Sequence, residues 1–129
     1  MAQVFTDYQW QNRLLLVFAP APDREEVRAQ QQLFEDKEAE LKDRDLLVAY
    51  LFPEEGRIED KTVSAEDTTS LRERYGVAED DFVVVLIGKD STAKERLEEP
   101  IQPADLFATI DAMPMRQREM REGETEEGE

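Results

Sequence analysis

Seven basic side chains stand out because the chain has few of them. Lys89, Lys94 and Arg96 sit close together, Arg116, Arg118 and Arg121 form a second group, and Arg13 opens the apolar run Leu14-Leu15-Leu16-Val17-Phe18. The planar donor fork of arginine matches the two oxygens of a carboxylate, and it also suits phosphate or sulfate. Arg13, Lys89, Lys94, Arg96 and Arg116 are therefore the candidate anion-binding residues. The same residues also fit ordinary salt bridges on an acidic surface. Scarcity is what keeps the anion patch in view: 16 Lys and Arg stand against 32 Asp and Glu, for a net charge of −16. Met113, Met115 and Met120 supply either an adaptable apolar surface nearby or plain core packing.

Other chemistry is excluded by residue type. The chain has no Cys and no His. Disulfides, thiol nucleophiles, Cys/His zinc sites and histidine-based triads are ruled out. Gly88-Lys89 lacks the glycine five positions earlier and the Ser or Thr after the lysine that a phosphate loop needs; Val83 and Asp90 stand there. Glu54-Glu55 and Glu59-Asp60 match no calcium-loop spacing. No catalytic residue, metal ligand or cofactor is expected. The negative charge disfavours nucleic acid and anionic lipid as partners. The chain contains no apolar stretch of the ~18 residues that a membrane helix requires.

The elements that must position these residues follow from patterning. Arg13–Ala19, through its run Leu14–Phe18, and Phe82–Ile87 carry uninterrupted apolar runs, which suit strands buried on both faces. Leu46–Phe52 is a more mixed strand, and Ala93–Leu97 is short and charged, as befits a sheet edge. Arg24–Lys42 predicts one long amphipathic helix, with Val27, Leu33, Phe34 and Leu41 on one stripe and Asp23 as its cap. Pro53–Lys61 predicts a polar loop. Ser64 or Asp67 caps a short helix that stops at Gly76. Pro103 opens a helix burying Leu106, Phe107, Ile110 and Met113, and Pro114 must break or kink it. Trp10 is expected to close one end of the core.

The order β-α-β-α-β-β-α, with the apolar strands central and the mixed ones at the edges, predicts an α/β fold. The sheet has four strands in mixed orientation, in the order 2-1-3-4, with helices on both faces and a right-handed βαβ crossover. This is the thioredoxin-like three-layer sandwich. Residues 10–121 form that domain, 1–9 an N-terminal extension, and 122–129 a disordered acidic tail with no apolar face.

Four segments carry a family resemblance. They are Trp10–Pro20, Asp43-Arg44-Asp45-Leu46, Leu86–Asp90 with Lys94 and Arg96, and Leu106-Phe107 through Met113-Pro114-Met115-Arg116-Gln117 to Glu119-Met120. Together they resemble the family of domain of unknown function 4174. The resemblance implies a thioredoxin-like fold with no established activity, found also as a module of sushi-repeat matrix proteins. It implies export as well, to the periplasm or the extracellular space. A start methionine joined to a trimmed mature chain would explain an opening of Met1-Ala2-Gln3-Val4 ahead of a fold that begins near Trp10. The family's turn after Gly-Lys-Asp is usually Gly-Gly. Here it is Ser91-Thr92, which accept positive φ poorly, so the turn type is left open.

In a working thioredoxin the thiols lie between the first strand and the first helix, at a helix N-terminus that lowers the thiol pKa. The matching Pro20-Ala21-Pro22-Asp23 has no thiol. Val77–Asp81 lacks the proline that working members carry before the third strand. The expected function is a redox-inactive binding module for a protein or an acidic glycan. The alternatives are a thiol-independent enzyme or a purely structural domain.

Overall fold

The two uninterrupted apolar runs lie side by side in the computed structural model, which describes residues 8–58 and 61–127, the side chains of 122–127 excepted. β1 (Arg13–Phe18) pairs antiparallel with β5 (Val83–Ile87), and every residue of both strands is buried. On its other side β1 pairs parallel with β2 (Leu46–Leu51), with Arg13 opposite Leu46 and Phe18 opposite Leu51. β6 (Ala93–Leu97) pairs antiparallel with β5 and is mostly exposed, as its charge requires.

The sheet has six strands in the order β4-β3-β2-β1-β5-β6, not four. The expected 2-1-3-4 arrangement corresponds to β2-β1-β5-β6, the four strands at one side of that sheet. The correction is the hairpin of β3 (Gly56–Ile58) and β4 (Lys61–Val63), which adds to the free edge of β2 where a polar loop was expected. Ile58 and Val63 turn into the core, and Gly56 backs closely on Leu51 and the Tyr50 carbonyl. β2 is therefore an interior strand.

Helices cover both faces. α1 (Glu25–Phe34) and α4 (Pro103–Asp111) pack Val27, Phe34, Leu106 and Ile110 against Leu15, Val17, Val84 and Leu86. α3 (Ala65–Tyr75) packs Leu71 against Leu14, Leu16, Phe18, Val83 and Val85 on the opposite face. Alternation along β1 and β5 thus feeds two separate cores. The Ser64 hydroxyl accepts the Asp67 N–H at 3.1 Å, and Gly76 closes α3 at φ 64°. Both were expected.

The long helix expected over residues 24–42 is two. It ends at Phe34 and resumes as α2 (Glu38–Asp43). Asp23 does not cap it; Arg24 is the N-cap residue and makes no side-chain cap bond. Pro114 opens α5 (Pro114–Glu127) after a break at Ala112-Met113, as a residue without an N–H should. α5 runs on to Glu127, into the segment expected to be a disordered tail. Tyr8 packs against the core although the sequence placed it in the extension. Trp10 does not close the core: it is 61% exposed at φ 69°, in a turn whose N–H bonds the Lys89 carbonyl at 2.6 Å.

Candidate functional site

Arg13 begins β1 at the end of the sheet where the chain enters β2 and leaves β5. Its backbone N–H bonds the Asp45 carbonyl at 2.8 Å, which places the Arg44-Asp45 link beside it. Lys89 lies two residues past the end of β5. Asp111 ends α4, and Arg116 and Glu119 share one side of α5 three residues apart. Five elements therefore deliver charged side chains to one place.

The Arg13 side chain is only 1% exposed. Its Nη1 donates to the Arg44 carbonyl at 2.8 Å, and Nη1 and Nη2 donate to the two Glu119 oxygens at 3.2 and 3.3 Å. Lys89 Nζ donates to Glu119 Oε2 and Asp45 Oδ2, each at 2.8 Å. Arg116 donates to Asp111 Oδ1 at 3.0 Å, Asp43 Oδ2 at 2.6 Å and the Asp43 carbonyl at 2.9 Å. Arg44 grips Asp111 with two donors, at 3.1 and 2.9 Å, and lies 4.2 Å from the Phe107 ring centre. Four bases (Arg13, Arg44, Lys89, Arg116) face four acids (Asp43, Asp45, Asp111, Glu119), so the cluster is neutral.

Burial opposes ionisation of Glu119, but the hydrogen bonds and charges of Lys89 and Arg13 outweigh it and leave the carboxyl below its usual range. Asp111 is likewise lowered: burial acts against it, and Arg44 and Arg116 prevail. Burial works to lower Arg116, and its bonds to Asp43 and Asp111 overcome that and raise it.

Of the five candidates, Arg13, Lys89 and Arg116 converge, each with carboxylates. Lys94 pairs with Asp90 at 3.0 Å. Arg96 is not part of the cluster; it points from β6 to the Tyr75 carbonyl. The five residues therefore do not form one patch: Arg13, Lys89 and Arg116 share a network with Arg44, which the sequence had shown only as part of a family segment, and with four carboxylates. A cavity of about 450 Å³ abuts the network, lined by Arg13, Lys89, Lys94, Thr109, Met113 and Met115. Met115 is 37% exposed and Met113 half-buried.

At the opposite end of the sheet a buried arginine does a different job. Arg72 donates from α3 to the carbonyls of Ala19 and Ala78, each at 2.8 Å, and to that of Leu51 at 3.4 Å. Burial lowers its pKa while Glu79 and Asp81 act to raise it. The ends of β1 and β2, beside Pro20-Ala21-Pro22-Asp23, are thus tied by one guanidinium. Sequence reasoning missed it. The signal was its place on the stripe Thr68-Leu71-Arg72-Tyr75, at the i, i+3, i+4, i+7 spacing of a core-facing helix side. Among the described residues no group of three or more acids gathers as a metal site. Glu59 and Asp60 lie outside the described residues.

The family described as Domain of unknown function (DUF4174) matches residues 4–119. The rat (Rattus norvegicus) Sushi repeat-containing protein SRPX2 is 30% identical over 114 residues, covering 85% of this chain and 24% of the relative. The human protein (Homo sapiens) of that name is 28% identical over the same length. The chain spans about a quarter of the length of these relatives. A reduced 2-Cys peroxiredoxin of Plasmodium vivax superposes with a TM-score of 0.62 at 14% identity, over 88% of this chain and 83% of that one. The likeness shows the thioredoxin-like fold. Among the described residues no helix is long and apolar enough to cross a membrane.

Proposed function

The chain belongs to the DUF4174 family of domains of unknown function, and from that premise we propose that it is a redox-inactive, thioredoxin-like binding module that recognises a protein partner. One observation carries this reading: the cavity of about 450 Å³ between the β5–β6 turn and the α4–α5 junction. Its wall sets adaptable methionines beside Arg13, Lys89 and Lys94, bases already held by Glu119, Asp45 and Asp90, a lining suited to a peptide whose apolar side chains fill the cavity while an acidic one competes for those bases. The matching position for redox chemistry holds Pro20-Ala21-Pro22-Asp23 and no thiol. Similarity to part of a sushi-repeat protein supports export from the cell.

Peptide display against the purified chain tests the reading. The expected peptides combine apolar and acidic residues, and they lose binding to Met115→Asp. Selection of no peptide, or of peptides indifferent to Met115→Asp, would reject the cavity as the recognition site.

A further inference from the structure

We propose that Arg13 and Lys89 form a carboxylate-binding site on the body of the domain, and that Glu119 of α5 fills it as a displaceable internal ligand. The geometry is that of ligand recognition. Two Arg13 nitrogens meet the two Glu119 oxygens in parallel, and Lys89 Nζ closes on Oε2 at 2.8 Å. The receiving groups are rigid: Arg13 sits on an interior strand, and its guanidinium is fixed to the Arg44 carbonyl. Lys89 is 8% exposed and held by Asp45. Spare capacity remains, since the buried Arg13 Nε has no partner among the described residues. Both bases line the neighbouring cavity, so a carboxylate entering from the cavity side reaches the same donors.

The occupying helix, by contrast, is loosely founded. From Pro114 to Arg121 only Arg116 is buried. Over Pro114–Arg121 α5 therefore docks mainly through charged hydrogen bonds. An element attached in this way opens at lower cost than the strands beneath it. Opening removes Glu119 and leaves two desolvated cations facing a cavity. A carboxylate from an acidic peptide binds that open state and cannot bind the closed one, so it shifts the population toward opening. This rests on the proposed function and deepens it by naming the chemistry of the ligand, a Glu or Asp carboxylate that replaces Glu119.

The test is separate from peptide display. Glu119→Ala removes the equivalent of acetate, so acetate should restore it. The variant is expected to melt below wild type and to regain melting temperature in acetate, beyond any gain in matched chloride and beyond the gain of wild type. In parallel, the Arg116–Met120 amides of wild type should exchange hydrogen well before those of Leu15–Val17, and about tenfold or more faster still in Glu119→Gln. Equal gains in acetate and chloride, or α5 exchange only by global unfolding, would overturn the proposal. If Glu119→Ala does not fold, the exchange experiment on wild type and Glu119→Gln stands by itself. Failure of peptide display alone would reject the cavity as a protein site and leave the carboxylate site standing.

Discussion

The Arg13 guanidinium and the Glu119 carboxylate meet across 106 positions of sequence through paired contacts of 3.2 and 3.3 Å. One group is almost wholly buried and the other keeps an edge in water, with side-chain exposures of 1% and 26%. That asymmetry decides which half is dangerous to remove. Glu119→Gln leaves a buried cation short of charge, and a loss of about 1–3 kcal/mol is expected. Arg13→Ala also deletes the stem from the core and should cost about 3–5 kcal/mol. Arg13→Ala with Glu119→Gln should cost less than the sum of the single changes, since no uncompensated charge remains. Urea unfolding of the four proteins measures the coupling. Simple additivity would show that the two residues do not act as a pair.

The same pair sets an acid response. Glu119 faces Arg13 from β1, Lys89 from the turn and Arg116 on its own helix, and Asp45 also binds Lys89. Its folded pKa is lowered, and so lies below that of free glutamate, about 4.3. The unfolded chain therefore takes up the proton first as pH falls, and the stabilisation is lost on the acid side. The stability gap between wild type and Glu119→Gln should stay constant above about pH 5 and close as pH falls through the folded pKa. Denaturant titrations at a series of pH values test this. A gap that widens in acid would reverse the assignment.

How much of this was readable beforehand depends on the residue. Leu14–Phe18 and Phe82–Ile87 announce central strands because few other structures bury five successive apolar residues. Gly56-Arg57-Ile58 and Lys61-Thr62-Val63 announce nothing, since three residues are too short to show a period and their pairing energy comes from the open edge of β2. The break at Glu35-Asp36-Lys37 carries no Gly or Pro. Helix propensity favours continuing through it, and packing of Phe34 and Leu41 against the sheet overrides that preference. In the site, the bases were visible because they are rare. Their partners were not, because 32 acids give every base many possible carboxylates. Only the register that sets Arg13 opposite Leu46 brings Arg44 and Asp45 to the cluster.

Removal of Arg72 should be severe even though its hydrogen bonds run to carbonyls rather than carboxylates. Its donors serve three main-chain carbonyls, and two of them belong to the buried residues Ala19 and Leu51. A leucine at position 72 would leave these without that partner. A cost of about 3 kcal/mol is expected, from the lost hydrogen bonds to the Ala19 and Ala78 carbonyls, since the Leu51 carbonyl keeps the Ala19 N–H. Arg72→Lys should recover little, because one ammonium cannot span carbonyls of Ala19, Leu51 and Ala78 with the same fork. Thermal unfolding of both variants checks this. A change below about 0.5 kcal/mol would mean water replaces the guanidinium freely.

Core substitutions separate the two faces of the sheet. Leu16 and Val84 are both fully buried, Leu16 in the core beneath α3 and Val84 in the core beneath α1 and α4. Leu16→Ala should cost about 2–5 kcal/mol and Val84→Ala somewhat less, in line with the smaller volume removed. Because the residues point to opposite faces, the two losses should add in the double variant. Strong coupling between them would contradict the two-core arrangement.

Ser91 holds a side chain in a conformation that suits glycine, within the turn between β5 and β6. Its φ is 66°, its N–H bonds the Gly88 carbonyl at 3.0 Å, and the Gly88 N–H bonds the Thr92 carbonyl at 3.0 Å. This is a three-residue hairpin loop whose last residue is left-handed, the usual place for glycine. Asp90 compensates. Its carboxylate accepts the Thr92 N–H at 3.1 Å, the Thr92 hydroxyl at 2.7 Å and a proton of Lys94 Nζ at 3.0 Å. The Thr92 hydrogen bond leads in pulling the Asp90 pKa down to about 2, against some desolvation and with help from Lys94. Gly88 assists by lacking a Cβ, which would press on Lys94 Cε at 2.6 Å. Ser91→Gly should therefore stabilise the domain by about 0.5–1 kcal/mol, the relief of strain less the added freedom of the unfolded chain. Asp90→Ala should destabilise it, and more so in the wild-type background than in Ser91→Gly, because the brace matters most where the backbone is strained. Urea unfolding of the wild type, the two single variants and the double variant reads both effects. A Ser91→Gly variant no more stable than wild type would show that the Asp90 brace already removes the strain, and an Asp90→Ala loss independent of position 91 would show that it does not act on the turn at all.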